Sequence, residues 1–218
     1  MKRVHLDKPM TEACPIRILI VEDHPLMRLG VSSFIGAQEN MAVVAEAGTG
    51  EEAIELFRQH RPNVAVVDLG LPKMSGVALI RALRLIDSEA RFIVLTTYEG
   101  DEDIYQALAA GAHAYVIKAM PLNILVDAIR RVVYGANYVP PLLKEKLLER
   151  NRAEELSAQQ LRVLRLISAG SNNREIGKEL GVTEATIKYH VSEILARLEA
   201  KDRTDAVMIA LRRGLLHL

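Results

Sequence analysis

The sequence contains little cysteine, no tryptophan and few aromatic residues. Cys14 is the only cysteine among 218 residues, so no disulfide can form within the chain, and a reducing, cytoplasmic location is expected. Aromatic residues make up 4% of the chain against 50% for all hydrophobic residues, which indicates a core of mainly aliphatic side chains. No apolar run reaches the roughly 18 residues of a membrane span, so no membrane partner is expected. The six histidines have no short paired spacing, and no zinc site is expected.

The chain has no net charge, but its charges are unevenly distributed. The whole sequence holds 28 basic and 28 acidic residues, and residues 156–218 hold 10 basic and 7 acidic residues, a net charge of +3. The remaining 18 basic and 21 acidic residues give residues 1–155 a net charge of −3. A length of 218 residues also exceeds that of one small module. The sequence therefore predicts an acidic module joined to a mildly basic one.

Short aliphatic runs alternate with amphipathic stretches over the first 133 residues. Such alternation predicts a doubly wound, flavodoxin-like α/β domain, because parallel strands are buried on both faces and need long helical crossovers. We predict five strands, each covered on both faces, at residues 16–21, 41–45, 64–67, 92–95 and 114–117. The five predicted helices span residues 25–35, 51–59, 77–85, 103–109 and 122–133.

Chemically active side chains follow four of these strands. In a doubly wound sheet the ligand lies beyond the carboxyl ends of the strands, so these positions define a candidate site. Carboxylates held close together there repel each other, and a hard divalent cation such as Mg²⁺ relieves that repulsion. With a metal and a lysine absorbing charge, one carboxylate can attack a phosphoryl group. The residues concerned are Glu22, Asp23, Asp68, Thr96, Thr97 and Lys118.

The pattern becomes purely helical in the last third of the chain. Residues 142–155, with four acids and four bases, are interpreted as a partly helical linker. Four helices are then predicted at residues 157–169, 173–180, 183–198 and 204–215. Ser157 with Gln160 forms a capping-box pair, and Asn173 and Thr183 are suitable N-cap residues. A short helix, a tight turn at Gly181 and a longer helix have the spacing of a helix-turn-helix.

These motifs together resemble a known family. Residues 21–25 (VEDHP), 67–76 (VDLGLPKMSG), 95–96 (LT) and 111–118 (GAHAYVIK) resemble the receiver domain of bacterial two-component response regulators. The C-terminal part is similar to the LuxR-type helix-turn-helix, so the whole resembles the NarL/FixJ class. The resemblance covers residues 16–218. It divides the chain into an N-terminal tail (1–15), a receiver (16–136), a linker (137–155) and a DNA-binding domain (156–218).

The resemblance implies a role for each residue of the candidate site. Asp68 would be the phosphoacceptor, Asp23 would bind Mg²⁺ directly and Glu22 would bind it mainly through water. The carbonyl of Gly70 would be a third protein ligand of the metal. Lys118 would contact the phosphoryl group, and Thr96 would move toward it after transfer, while Tyr115 would turn inward. Glu22 in place of the commoner aspartate and Ala119 in place of the commoner proline are the departures from the family pattern.

Other charged residues near these motifs receive no catalytic role. His24 stands beside the acid pair and before Pro25, where we expect an ordinary loop residue. The acids at 51–52 and 101–103 are expected to be solvated charges that favour helix N-termini through the helix dipole.

Two faces are predicted for the second helix of the helix-turn-helix. Apolar residues at three- and four-residue steps face the core: Ile187, Val191, Ile194, Leu195 and Leu198. Ala185, Lys188, Tyr189 and Ser192 share the opposite face, and the last three are the candidates for contacts with double-stranded DNA. Candidates for phosphate contacts are Arg174, Lys178, Arg197, Lys201 and Arg203. The last helix, with Val207, Ala210 and Leu211, resembles the family's pairing helix, so a homodimer on a two-half-site operator is expected.

The resemblance implies a phosphorylation-switched transcription factor rather than an enzyme. Its partners would be a sensor histidine kinase and DNA, with RNA polymerase a further candidate. Three alternatives remain open. A haloacid-dehalogenase-type phosphohydrolase needs a second acid two residues after the nucleophile, where Gly70 stands. In a dinucleotide-binding enzyme, Glu22 and Asp23 would repel the pyrophosphate of the ligand. A regulator of the same fold that no longer uses phosphate would not need the acids, Thr96 and Lys118, all of which are present.

Overall fold

The computed structural model describes residues 14–150 and 156–217. Most of the expected N-terminal tail, residues 151–155 of the expected linker and the last residue lie outside the described residues. The chain forms two compact units, which divide between Phe92 and Ile93. Each unit has its own set of strands and helices.

The described strands and helices alternate as predicted up to residue 133. The strands are β1 (Ile16–Val21), β2 (Met41–Ala47), β3 (Val64–Val67), β4 (Arg91–Thr96) and β5 (Ala114–Ile117). The helices between and after them are α1 (Pro25–Gly36), α2 (Gly50–His60), α3 (Gly76–Ile86), α4 (Asp101–Ala110) and α5 (Leu122–Val133). The later helices are α6 (Pro141–Arg150), α7 (Ala158–Ser168), α8 (Asn173–Leu180), α9 (Glu184–Arg197) and α10 (Arg203–Arg213).

The five strands form one sheet in the order β2-β1-β3-β4-β5. β1 pairs in parallel with β2 and β3, and β4 pairs in parallel with β5. The fold class is confirmed: a doubly wound parallel sheet followed by an all-helical part. The expectation that every strand is covered on both faces is wrong for β2. This strand lies at the edge of the sheet, and most of its residues are only half-buried.

Local sequence explains where the helices of the first unit begin. Pro25 occupies the first turn of α1, where a missing N–H costs nothing. The Thr49 hydroxyl accepts a hydrogen bond from Glu52 N at 3.3 Å, and the Ser75 hydroxyl accepts one from Ala78 N at 3.3 Å. These caps set the starts of α2 and α3, and each helix has buried residues along its length.

The edge of β5 is covered by a segment that the sequence pattern assigned to the linker. Tyr115 N donates to Tyr138 O at 3.0 Å, and Tyr138 N donates to His113 O at 2.9 Å. Ala114 and Tyr138 thereby form an isolated parallel bridge. An exposed strand edge leaves backbone groups unpaired, so this short pairing protects β5 before α6 begins.

The last four helices, α7 to α10, surround a core of their own. Ser157 and Gln160 form the predicted capping box, with Ser157 N donating to Gln160 Oε1 at 2.8 Å and Gln160 N donating to Ser157 Oγ at 3.2 Å. Thr183 caps α9 as predicted. The predicted cap of α8 is wrong by one residue: Asn172 is the N-cap, because its side chain and that of Glu175 satisfy each other's backbone N–H groups. Buried side chains of this core include Val163, Leu164, Ile167, Ile176, Ile187, Ile194 and Ala206.

Candidate functional site

The first unit carries the carboxylates of the candidate site. Glu22 and Asp68 are buried, with 3% and 6% of their surface exposed, whereas Asp23 is about one third exposed. Glu22 N donates to Ala47 O at 3.0 Å, and Asp68 N donates to Val21 O at 2.9 Å. These backbone bonds hold both acids immediately after their strands. A buried carboxylate is costly without compensating charge or hydrogen bonds, so the burial of Glu22 and Asp68 makes them candidates for a functional site.

His24 joins the acid pair, which sequence reasoning missed. Its Nδ1 lies 2.9 Å from Asp23 Oδ1 and 3.4 Å from Glu22 Oε1, and its N–H donates to Glu22 Oε1 at 3.2 Å. Potential ligand atoms of the three residues lie within 4.8 Å of one another. The imidazole is largely exposed. Its position directly after two acids was the available signal.

Gly76 lets α3 approach the acid at the end of β3. Its N–H donates to Leu69 O at 3.0 Å. A Cβ at this position would overlap the backbone carbonyl oxygen of Asp68 and lie 2.8 Å from Leu69 Cα. The loop between β3 and α3, which contains Gly70, is therefore held tightly against the start of α3.

The second unit carries the hydroxyl and the lysine. Thr96 and Tyr115 are fully buried, and Lys118 N donates to Thr96 O at 2.8 Å. Tyr98 N donates to Thr96 Oγ1 at 3.4 Å, and Tyr115 Oη donates to the Tyr98 carbonyl at 3.0 Å. Tyr115 is thus buried and hydrogen-bonded within the unit, and its hydroxyl is tied to the segment that follows Thr96.

The expectation of solvated acids at the start of α4 is wrong. Asp101 and Asp103 are buried, with 9% and 8% of their surface exposed. Arg213 and His217, near the end of the chain, contact them. Acids in the first turn of a helix are typically exposed, and no local pattern shows that a segment more than 100 residues later covers these two. At 51–52 the corresponding expectation holds, because Glu51 and Glu52 are exposed.

Helix α9, the second helix of the helix-turn-helix, has the two predicted faces. Ile187, Ile194 and Leu198 are buried in the core formed by α7 to α10, and Val191 and Leu195 pack against that core. On the other face, Ala185, Lys188, Tyr189 and Ser192 are exposed. Lys188 Nζ lies 2.9 Å from Glu184 Oε1 in an exposed pair one turn apart. Because exposed pairs of this kind contribute little, Lys188 can leave Glu184 at small cost.

The candidate phosphate-contacting residues fall into two groups. Arg174, Lys178 and Lys201 are exposed, whereas Arg197 and Arg203 are half-buried. Arg203 Nη2 donates to the Ser171 carbonyl at 2.7 Å, which ties the start of α10 to the turn before α8. Arg203 therefore has a structural contact in addition to its predicted one.

Comparison with known proteins agrees with this architecture. The family model described as response regulator receiver domain matches residues 18–130, and the one described as bacterial regulatory proteins, luxR family, matches residues 154–210. Together the two matches define the class of the protein as a response regulator. The chain belongs to this family, with a receiver and a LuxR-type DNA-binding domain.

Similar proteins include regulators that match over nearly their full length. The response regulator protein VraR of Staphylococcus epidermidis is 32% identical over 206 residues, covering 92% of this chain and 99% of VraR. VraR of Staphylococcus aureus is 33% identical with the same coverage. Among solved structures, the response regulator ChrA of a heme-sensing two-component system is 30% identical, with a TM-score of 0.57, covering 94% of this chain and all of that one. Among the described residues, no helix is both long enough and apolar enough to cross a membrane.

Proposed function

We propose that this protein is a cytoplasmic response regulator that accepts a phosphoryl group on Asp68 from a sensor histidine kinase and then binds operator DNA as a homodimer. The observation that carries the proposal is the pair of buried carboxylates, Glu22 and Asp68, directly after β1 and β3. In the transfer, an Asp68 carboxylate oxygen forms a bond to phosphorus as the bond from phosphorus to the kinase histidine nitrogen breaks. The proton that the leaving imidazole takes up comes from solvent.

The acid pair fits a divalent cation. Glu22 and Asp23 supply hard oxygen donors, and with Asp68 and the Gly70 carbonyl they would hold Mg²⁺, which prefers such ligands. When bound, the ion neutralises charge on the phosphoryl oxygens. Asp23 would contact it directly and Glu22 through water. His24, hydrogen-bonded to Asp23, orients that carboxylate.

The lysine and the hydroxyl complete the proposed site. Lys118 offers a second positive charge to the phosphoryl oxygens, and Thr96 moves toward them once they are in place. Tyr115 follows Thr96, because both are hydrogen-bonded to the backbone of Tyr98. Phosphorylation is thereby converted into a movement of the segment before α4.

Helix α9 would bind in the major groove of DNA. Lys188, Tyr189 and Ser192 face outward together and would read base edges, with Lys188 exchanging Glu184 for DNA. Arg174, Lys178, Arg197, Lys201 and Arg203 would hold phosphates. One DNA-binding domain reads only a short DNA site, so two copies of the protein would pair on an operator with two half-sites. RNA polymerase would be a further partner of the bound dimer where the operator lies beside a promoter.

Phosphorylation by a small donor tests the function and separates it from its rivals. The purified chain is incubated with acetyl phosphate and Mg²⁺, with and without a chelator, and its intact mass and the released phosphate are measured. We expect the mass of one phosphoryl group to appear only when Mg²⁺ is present. Rapid release of phosphate without a persistent mass gain would instead indicate a phosphohydrolase. An unchanged mass would indicate a regulator that does not use phosphate.

A further inference from the structure

Three consecutive residues between β1 and α1 place a nitrogen donor beside two oxygen donors. His24 Nδ1 lies 2.9 Å from Asp23 Oδ1 and 3.4 Å from Glu22 Oε1. Potential ligand atoms of the three residues all lie within 4.8 Å of one another. In the part of the chain that the structure describes, no other group of three His, Cys, Asp or Glu side chains meets in this way. The imidazole distinguishes this cluster from a set of oxygen donors alone.

The spacing of the donor atoms matches that of ligands around one metal ion. Ligand atoms at about 2.1 Å from an ion are about 3.0 Å apart at an octahedral right angle and about 3.4 Å apart at a tetrahedral angle. The two distances from His24 Nδ1 to the carboxylate oxygens, 2.9 and 3.4 Å, lie at these values. An ion that contacts all three atoms therefore requires only small side-chain rotations.

The backbone holds the cluster in place. Glu22 N donates to Ala47 O at 3.0 Å, and Arg28 N donates to His24 O at 3.0 Å in the first turn of α1. The carboxylate of Glu22 accepts a further bond from His24 N at 3.2 Å. Donors that are already positioned lose little conformational freedom when they bind. The His24 side chain is 75% exposed and that of Glu22 only 3%, so an ion reaches the buried carboxylate from the side of the imidazole.

The imidazole changes which ions the cluster prefers. Mg²⁺ takes oxygen ligands, so a nitrogen donor adds little to its binding. Zn²⁺, Co²⁺ and Ni²⁺ bind imidazole nitrogen together with carboxylate oxygen. The six histidines lack the paired spacing of a closed structural zinc site. Three protein ligands with a remaining position for water are instead typical of an accessible site, at which the ion can exchange.

We propose that Glu22, Asp23 and His24 form a binding site for divalent cations of the Zn²⁺ class, with His24 Nδ1 as a direct ligand that sets metal specificity. The ion replaces the hydrogen bond between His24 and Asp23, and the proton of the neutral ring then lies on Nε2. It competes with Mg²⁺ for the two carboxylates. Zinc binding does not depend on the proposed phosphorylation of Asp68, and only the competition rests on the proposed Mg²⁺ site.

His24→Asn separates a metal ligand from a residue that only positions Asp23. The amide nitrogen of asparagine still donates a hydrogen bond to Asp23, but it has no lone pair for a metal. His60→Asn is the matched control, because His60 ends α2 and lies outside the cluster. The affinities of the untagged full-length chain for Zn²⁺ and Mg²⁺ are measured by isothermal titration calorimetry at one pH. The Zn²⁺ titration is then repeated with Mg²⁺ present.

We expect His24→Asn to lower the ratio of Zn²⁺ to Mg²⁺ affinity about tenfold or more, since even the loss of an indirect contact costs a metal site that much. His60→Asn should leave the ratio unchanged, and Asp23→Asn should weaken the binding of both ions. The nitrogen resonance of His24 Nδ1, assigned by its absence in His24→Asn, should shift with Zn²⁺ and much less with Mg²⁺. Both cluster side chains that are changed reach solvent, so these variants are expected to fold.

An unchanged Zn²⁺ affinity in His24→Asn or in Asp23→Asn would show that zinc binds elsewhere and would overturn the proposed site. An equal loss of both affinities in His24→Asn would show that the imidazole only positions Asp23, which overturns its role as a ligand. Failure of the proposed Mg²⁺ site gives a different result. If zinc binding depends on His24 and Asp23 but Mg²⁺ does not compete with it, the zinc site stands and the Mg²⁺ site of the proposed function fails.

Discussion

Replacing Asp68 with asparagine is expected to abolish phosphoryl uptake from acetyl phosphate completely. The amide keeps the shape of the carboxyl group but has no oxygen that can act as a nucleophile toward phosphorus. Asp68 is buried and directly follows β3, the position that the proposed reaction requires of the acceptor. Intact mass after incubation with acetyl phosphate and Mg²⁺ is the measurement.

The matched control is Asp127→Asn, which makes the same chemical change at an exposed position on α5. It should take up one phosphoryl group as the wild type does. If Asp68→Asn still gains the mass of a phosphoryl group, the acceptor is another residue and the assignment of the site is wrong.

The second large effect is expected at Gly76. The added methyl group of Gly76→Ala would overlap the carbonyl oxygen of Asp68, and the loop between β3 and α3 would have to shift. Overpacking of this kind costs about 3 kcal/mol of unfolding free energy, and it displaces the acceptor residue as well. Urea unfolding gives the change in stability.

Gly30 provides the comparison for this substitution. It is an exposed glycine in α1, and a Cβ there would have no atom within 4 Å. Gly30→Ala should therefore stabilise the protein by about 0.5–1 kcal/mol, because alanine favours the helix and restricts the unfolded chain. A Gly76→Ala protein as stable as wild type would show that the loop relaxes freely and that α3 does not constrain Asp68.

Much of the fold follows from hydrophobic periodicity. Continuous aliphatic runs gave all five strands and amphipathic spacing gave the helices, with ends correct to within about two residues. Where two neighbouring residues can both cap, the pattern is ambiguous: Asn172 and Asn173 are the same residue type, and only the reciprocal bond to Glu175 distinguishes them. The exposure of β2 was not predictable from its composition, because it depends on the order of strands in the sheet.

The strand-end positions of the candidate residues were predictable, because aliphatic runs mark where the strands end. Glu22, Asp23, Asp68, Thr96 and Lys118 each stand at or directly after the end of a strand, and their role as one site stays a prediction. The contact between the first turn of α4 and the end of α10 was not predictable in this way. Asp101 and Arg213 are 112 residues apart, and each has an ordinary local explanation as a charge that suits its end of a helix.

The central claim is that phosphorylation of Asp68 controls DNA binding, and one titration tests it most directly. An operator selected from random duplexes is titrated by fluorescence anisotropy with wild type and Asp68→Asn, each with and without acetyl phosphate and Mg²⁺, at one fixed salt concentration. We predict that acetyl phosphate tightens binding by wild type about tenfold or more and leaves Asp68→Asn unchanged, a difference of roughly 1.4 kcal/mol. Equal operator affinity for phosphorylated and unphosphorylated wild type, with the phosphoryl group verified by mass in the same sample, would contradict the account.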